Sequence, residues 1–356
     1  MTIKDTNNSS AQLKAVDFFS GAGGMSCGFS QAGVNILAGI DIEGQFEATY
    51  LANHPSAQFI KQDITKYQPQ DLQEKIGIEK YDDKLIFIGC SPCQYWSNIN
   101  NIKHKSAYSN NLVYDFQRFI KYFMPGYVVV ENVPGIVKQK DNHVLLQFMD
   151  FLLFHGYKAE WKIIRTDDYG VPQHRKRFVL IATRLPLKIQ FPTPEKRKDL
   201  TVYNFIGQHN GFPVLADGHK DPNNFMDSTA ALGPLNRERL RVTPANGGNR
   251  LAWANNANLQ IPAYKDKPDH FKSIYGRLFW HKPSSTITTR FIAISCGRFS
   301  HPEEHRGLSL REGATLQTFP RTYKFIGSVQ SVAKQIGNAV PPEMARRIAL
   351  SIQTSQ

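Results

Sequence analysis

The chain has 356 residues, 41% of them hydrophobic and 21% charged, with a formal net charge of +13. That length can bury one large core and a smaller one, and the charge predicts a surface that attracts polyanions, nucleic acid ahead of acidic membrane. No apolar run nears the roughly 18 residues of a membrane span and no basic-then-apolar leader opens the chain. The four cysteines Cys27, Cys90, Cys93 and Cys296 are too few for a disulfide framework, so a protein of the reducing cytoplasm with no membrane partner is expected.

Residues 1–12 are polar and read as a tail. From 13 to 184, short apolar runs alternate with amphipathic stretches, the pattern of an α/β domain with a doubly wound, mostly parallel sheet. Strands are expected at 15–19, 35–40, 85–89 and 127–130. Between the last two, Val113, Phe116, Phe119, Ile120 and Phe123 recur at helical spacing. Residues 144–154 are apolar on nearly every side, and their length favours a buried helix over a strand. Residues 158–165 and 177–183 read as two strands paired antiparallel at one edge. From 185 to 275 the texture turns to proline, glycine and asparagine, with a basic cluster at Lys196-Arg197-Lys198 and little periodicity. Composition alone leaves this interval open between a loop-rich insertion and a second domain. Helices are expected at 310–319 and 329–352, the second returning to pack on the large domain. There is no internal repeat and no low-complexity tract.

Several segments carry chemistry. Asp17-Phe18-Phe19-Ser20-Gly21-Ala22-Gly23-Gly24 follows a strand and precedes a helical stretch, so its glycines can turn sharply and admit a ligand to the backbone. On this motif alone a dinucleotide and another nucleotide-like cofactor are equally served. Asp41, about 20 residues further on, stands where a carboxylate accepts from ribose hydroxyls, and Glu43 can share that role. Gly89-Cys90-Ser91-Pro92-Cys93-Gln94 ends a buried strand, and a thiol held by such a loop is a candidate nucleophile. Cys90 and Cys93 also form a Cys-x-x-Cys pair, open to a redox or half-zinc reading. A zinc site needs two more ligands, and Cys27 and Cys296 have no neighbours at suitable spacing, so no metal is expected. Glu131, in Glu131-Asn132-Val133, offers a general acid at the next strand end. Gln173-His174-Arg175-Lys176-Arg177 and Gln335-Ile336-Gly337-Asn338-Ala339 complete the set.

In this order and at these spacings, the segments resemble the cytosine-5 DNA methyltransferases, from about residue 14 to the last helix. The resemblance implies a Rossmann-like class I fold dependent on S-adenosylmethionine, with catalytic residues 13–184 and a smaller loop-rich target-recognition domain at 185–275. A return segment at 276–328 and a C-terminal helix at 329–356 would follow. It implies Phe19 against the cofactor's adenine, Gly21 and Gly23 beside its methionine, and Asp41 and Ile42 at the ribose. Asp63 and Ile64 would meet the adenine, with Pro92 and Asn338 closing the pocket. The family usually has glutamate where Asp41 stands.

The same resemblance implies the reaction. Cytosine C5 is a weak nucleophile, so Cys93 would add to C6 while Glu131 holds or protonates N3. Arg177, with Arg175, would hold the carbonyl oxygen and the carboxylate. The base must leave the stack, at a cost of a few kcal/mol. Gln94, Ser97, Lys103 and Lys105 would touch the base and its phosphates, although Tyr95-Trp96 replaces the usual small residue and phenylalanine. Asn236, Arg237, Asn249 and Arg250 are the expected readers of base edges in the major groove. The implied protein is a monomer acting on double-stranded DNA, paired functionally with a restriction endonuclease. Two alternatives stay open. One branch of the family methylates tRNA, and a non-catalytic DNA-binding relative would have lost Cys93, Glu131 or Arg177, which are all present.

Overall fold

The computed structural model describes residues 12–91, 106–137, 143–264 and 271–355, with the side chains of 106–111 and 143 left undescribed. Its centre is a sheet of seven strands: β1 (Lys14–Phe18), β2 (Asn35–Asp41), β3 (Gln58–Lys61), β4 (Leu85–Gly89), β5 (Tyr127–Asn132), β6 (Lys158–Arg165) and β8 (Lys176–Thr183). A two-residue β7 (Gln173–His174) pairs in parallel with β9 (Ser284–Ser285) outside it. The strand order is β3-β2-β1-β4-β5-β8-β6. Every residue of β4 and β5 is buried, as strands covered on both faces must be. β8 runs antiparallel to β6, which is the expected edge pairing, and also to β5, which joins the pair to the rest of the sheet. β1 stops at Phe18 rather than at 19, because Phe19 turns into the left-handed region at φ 61°. The short β3 escaped the sequence reading.

Helices cover both faces: α1 (Gly24–Gln31), α2 (Glu47–Asn53), α3 (Pro69–Ile76), α4 (Ser106–Phe123) and α5 (His143–Phe154). The two-residue period of the strands sends Val16, Phe18, Phe87 and Val128 to one side, against Phe116, Phe119 and Phe123 of α4 and Leu152 of α5. Phe18 meets Phe87, Phe116 and Phe119 edge-on, with centroids 5.0, 5.0 and 5.1 Å away. Burying one such ring stabilises the fold by roughly 1.5–3 kcal/mol. Ala15, Ile86 and Val129 face the other way, against Phe29 of α1, Tyr50 of α2 and Met344 and Ile348 near the C-terminus.

Residues 185–309 are mostly irregular, punctuated by α6 (Val202–Ile206), α7 (Pro234–Val242) and single 3-10 turns. Buried arginines do there what ladders do elsewhere. Arg277, 1% exposed, donates to the carbonyls of Leu240 (2.8 Å), Thr243 (3.1 Å) and His301 (3.0 Å), closing the open end of α7. Burial pushes its pKa down to about 10. Arg239 ties α7 to the carbonyls of Leu259 and Gln260 in the same way.

Three helices finish the chain: α8 (Leu310–Leu316), α9 (Val329–Asn338) and α10 (Pro342–Gln353). The expected single helix over 329–352 is therefore two. Pro341 and Pro342 lack the N–H groups a continuing helix needs and clash with the preceding turn, so the chain extends at Ala339 (ψ 145°) before restarting. The break separates two jobs. α10 packs with α1 on the sheet, whereas Val332, Ala333 and Ile336 of α9 join a third core. That core unites Leu308, Leu310, Phe291 and Val202 with Ala22 and Cys27 at the start of α1. α8 also ends early, at Leu316 rather than 319, with Thr318 at φ 67°.

Candidate active site

The sheet changes direction between β1 and β4, and the loops leaving their carboxyl ends diverge, which opens a crevice at the usual ligand position of such folds. A cleft of about 800 Å³ lies there, lined by the ends of β1, β2, β4 and β5, by Gln62–Ile64 after β3, by Thr286–Thr289, and by the end of α9. The wall from β1 is the glycine loop. Gly21 donates to Asp41 Oδ2 at 2.8 Å, and Glu43 donates to Asp41 Oδ1 at 2.9 Å, so one carboxylate fastens the first loop to the second. Gly23 sits at φ 86°, and a Cβ there would come within 2.9 Å of both His54 Nε2 and the Tyr323 hydroxyl. Only glycine meets both conditions. Tyr323, from the linker between α8 and α9, donates to the Ala22 carbonyl and pins the loop from behind. Burial pushes His54 down to about 4, so it stays neutral beside the loop.

Asp17 lies beneath the loop, 1% exposed, and its Oδ2 accepts from the Ser26 backbone (3.2 Å) and hydroxyl (2.6 Å). Burial pushes its carboxyl up to about 7. Its Oδ1, the Ser20 hydroxyl and Gln335 Oε1 have no hydrogen-bond partner among the described residues, although all three are buried and all three residues line the cleft. Orphaned buried polar atoms are rare in folded proteins, and three on one cleft mark a surface shaped for a polar ligand. Burial also raises the Asp41 carboxyl. Asp63 accepts from the Thr65 N–H (3.0 Å) and hydroxyl (2.8 Å), which fixes the turn after β3. Phe19, Ile42, Ile64 and the exposed Asn338 complete the lining, and Lys334 bridges from α9 to Glu43 at 2.6 Å.

At the far end of the same cleft stands a buried ion pair. Glu131, at the end of β5, meets Arg177 of β8, with Nε–Oε1 at 2.8 Å and side-chain exposures of 6% and 12%. Arg175, two residues earlier, is buried and reaches the Ile287 carbonyl and Gln317 Oε1, each at 3.4 Å. Asn132 donates to the Ser91 carbonyl (3.4 Å) and hydroxyl (3.3 Å), tethering the chain as it leaves β4. Pro92, Cys93, Gln94, Ser97, Lys103 and Lys105 lie outside the described residues.

The expected base-readers fare differently. Arg237 is exposed but pairs with Asp217 at 3.0 Å. Arg250 is 5% exposed, with its guanidinium 5.3 Å from the centre of the Tyr264 ring. Asn249 caps the following turn through the Leu251 N–H, and Asn236 accepts from Arg239. Asp17, Ser20, Lys334, Gln335 and Thr286–Thr289 were given no site role from the sequence, although all but Lys334 lie in segments that resemble the family. Asp17 and Ser20 stood inside a motif that was read for its glycines.

An open parallel sheet with one antiparallel strand inserted beside its edge, a glycine loop after β1 and carboxylates after β2 and β3 define a class I methyltransferase fold. The model of C-5 cytosine-specific DNA methylases matches residues 13–354, and the chain belongs to that family, the DNA (cytosine-5-)-methyltransferases. It is 33% identical to the Type II methylase M.HgiDII of Herpetosiphon aurantiacus over 343 residues, covering 95% of this chain and 94% of that one. It is 32% identical to the Type II methyltransferase M1.HphI of Haemophilus parahaemolyticus over 350 residues, covering 96% and 86%. Among solved structures, a DNA modification methyltransferase encoded within a prophage of E. coli aligns with a TM-score of 0.76 at 21% identity, covering 97% of this chain and 99% of that one. Among the described residues, no helix is long and apolar enough to cross a membrane.

Proposed function

We propose that the protein transfers a methyl group from S-adenosylmethionine to C5 of a cytosine extruded from a short specific duplex sequence, as the modification enzyme of a type II restriction–modification system. The observation that carries this reading is the joining, in one cleft, of a glycine loop with orphaned acceptors at one end and a buried Glu131–Arg177 pair at the other. The acceptors on Asp17, Ser20 and Gln335 fit a ligand that brings ammonium, hydroxyl and amine donors, as this cofactor does. In this reading Phe19, Gly21, Gly23, Asp41, Ile42, Asp63, Ile64, Pro92 and Asn338 hold it. When bound, it supplies an electrophilic methyl group.

The protein's own residues do the rest. Cys93 adds its thiolate to C6, which moves electron density to C5. Glu131 holds the N3 edge or, once it has itself taken up a proton, protonates it as negative charge develops there. Arg177, with Arg175 beside it, holds the Glu131 carboxylate and the cytosine O2. After methylation a base takes the C5 proton, the C5–C6 double bond re-forms and Cys93 leaves as the thiolate by elimination. Residues 185–275 and the return segment position and read the duplex, with Gln94, Ser97, Lys103 and Lys105 at the extruded base and its phosphates. The relatives at 33% and 32% identity, both named as Type II enzymes, support duplex DNA over tRNA.

Incubation with labelled cofactor and either duplex DNA or tRNA tests the substrate, and label confined to tRNA would overturn it. Duplex carrying 5-fluorocytosine at the target tests the chemistry. A covalent adduct is expected with the native protein and none with Cys93→Ser, while that variant still binds cofactor.

A further inference from the structure

Two buried glutamines join parts of the cleft that lie far apart in the chain. Gln317, fully buried at the end of α8, donates through Nε2 to the carbonyls of Ile336 (2.7 Å) and Ala339 (3.3 Å). Those carbonyls flank Asn338, at the cofactor end of the cleft. Through Oε1 the same side chain accepts from Gln173 Nε2 (2.9 Å) and from Arg175 Nη1 (3.4 Å), at the base end. Gln173 closes the circuit by accepting the Ile287 N–H at 3.0 Å, on the wall that continues into Thr288 and Thr289. The wall and α9 touch directly: a Cβ on Gly337 would lie 2.2 Å from the Thr289 nitrogen. An amide has two donors and one acceptor oxygen, and here each end faces only groups of the opposite kind, so its orientation is determined. A carboxylate or an apolar side chain of the same length cannot satisfy both ends.

We infer that Gln317 is a positioning residue that sets the methyl-donor site and the base site in register, its nitrogen serving the first and its oxygen the second. The inference rests on the proposed activity, and it assigns the two halves of one side chain to two separable functions. Networks of this kind couple their members beyond pairwise contacts, since each group is desolvated and depends on its neighbour for satisfaction.

The two ends can be separated by substitution. Gln317→Glu keeps an oxygen for Gln173 and Arg175 but turns a second oxygen toward the two carbonyls. Its affinity for S-adenosylmethionine, titrated calorimetrically without DNA, should fall by about tenfold or more through the loss of two buried donors. Base extrusion, read as the fluorescence rise of 2-aminopurine at the target position without cofactor, should stay near the native level. Gln317→Leu should lose both signals. Leu316→Ala keeps the backbone carbonyl that accepts from Gln173 Nε2 at 3.4 Å and removes a buried side chain that makes no hydrogen bond, so it controls for general loosening and should keep cofactor affinity within about twofold at a comparable drop in melting temperature. Equal loss of both signals in Gln317→Glu, native affinity in that variant, or equal loss of affinity in Leu316→Ala would each overturn the inference. Absence of both signals in the native protein would remove the proposed activity, and the inference with it.

Discussion

At the scale of single residues, the cleft is organised by buried charges that differ in how they are satisfied. Glu131 has a guanidinium at 2.8 Å, whereas Asp17 has only the two Ser26 donors and an oxygen without a partner among the described residues. Burial therefore dominates at Asp17 and lifts its carboxyl from 3.8 to about 7. Between those values the folded protein retains a proton that the unfolded chain has released. Its contribution to stability consequently declines as pH rises through that window and levels off above it. Asp17→Asn never ionises and keeps one acceptor for Ser26. Relative to the native protein, the variant should gain melting temperature steadily from pH 4 to pH 7. Parallel melting curves across that range would show that Asp17 does not titrate as its burial implies.

Elements in the second half of the molecule depend on buried polar clamps more than on ladders. α8 begins with a reciprocal cap, in which the Ser309 hydroxyl accepts from the Glu312 N–H (3.2 Å) and the Glu312 carboxylate accepts from the Ser309 N–H (2.7 Å). Glu312 is also gripped in bidentate fashion by Arg306, at 2.7 and 2.8 Å, and both side chains are essentially unexposed. Burial pushes the Glu312 carboxyl up, but Arg306 and its neighbours pull harder and the net direction is down. Breaking such a pair on one side strands a charge. Arg306→Met should cost about 3–5 kcal/mol in urea unfolding. Adding Glu312→Gln removes the stranded charge and keeps an oxygen for the cap, so the double variant should be more stable than Arg306→Met alone. A double variant less stable than the single one would show that the two residues do not act as a pair. Because Gln317 follows α8 directly, this clamp also anchors the buried amide network beside the site.

For the whole molecule, the net charge of +13 is a statement about binding at a distance. A protein neutralising six or more phosphates should lose roughly 10³-fold or more in duplex affinity between 50 and 200 mM salt. A flat salt response would contradict duplex binding.

The order of the motifs, the alternation of apolar strands with amphipathic helices and the antiparallel edge were legible in the chain, because each is set by neighbours within about twenty residues and by local periodicity. Gly21, Gly23 and Asp41 stand at the end of an expected strand or in its turn, whereas Asp63 follows β3, which no periodicity revealed, and was pointed to only by the family resemblance. Other features depend on contacts across the chain. Where the Arg250 guanidinium packs, whether 329–352 is one helix or two serving different cores, and which side chains hold Arg175 were decided only by packing. Composition reads the same for a solvated arginine and for one whose guanidinium finds carbonyls deep in a lobe. The Gln173–Gln317 contact spans more than a hundred residues of sequence, and no local pattern encodes it, since its energy exists only once both amides have lost water together.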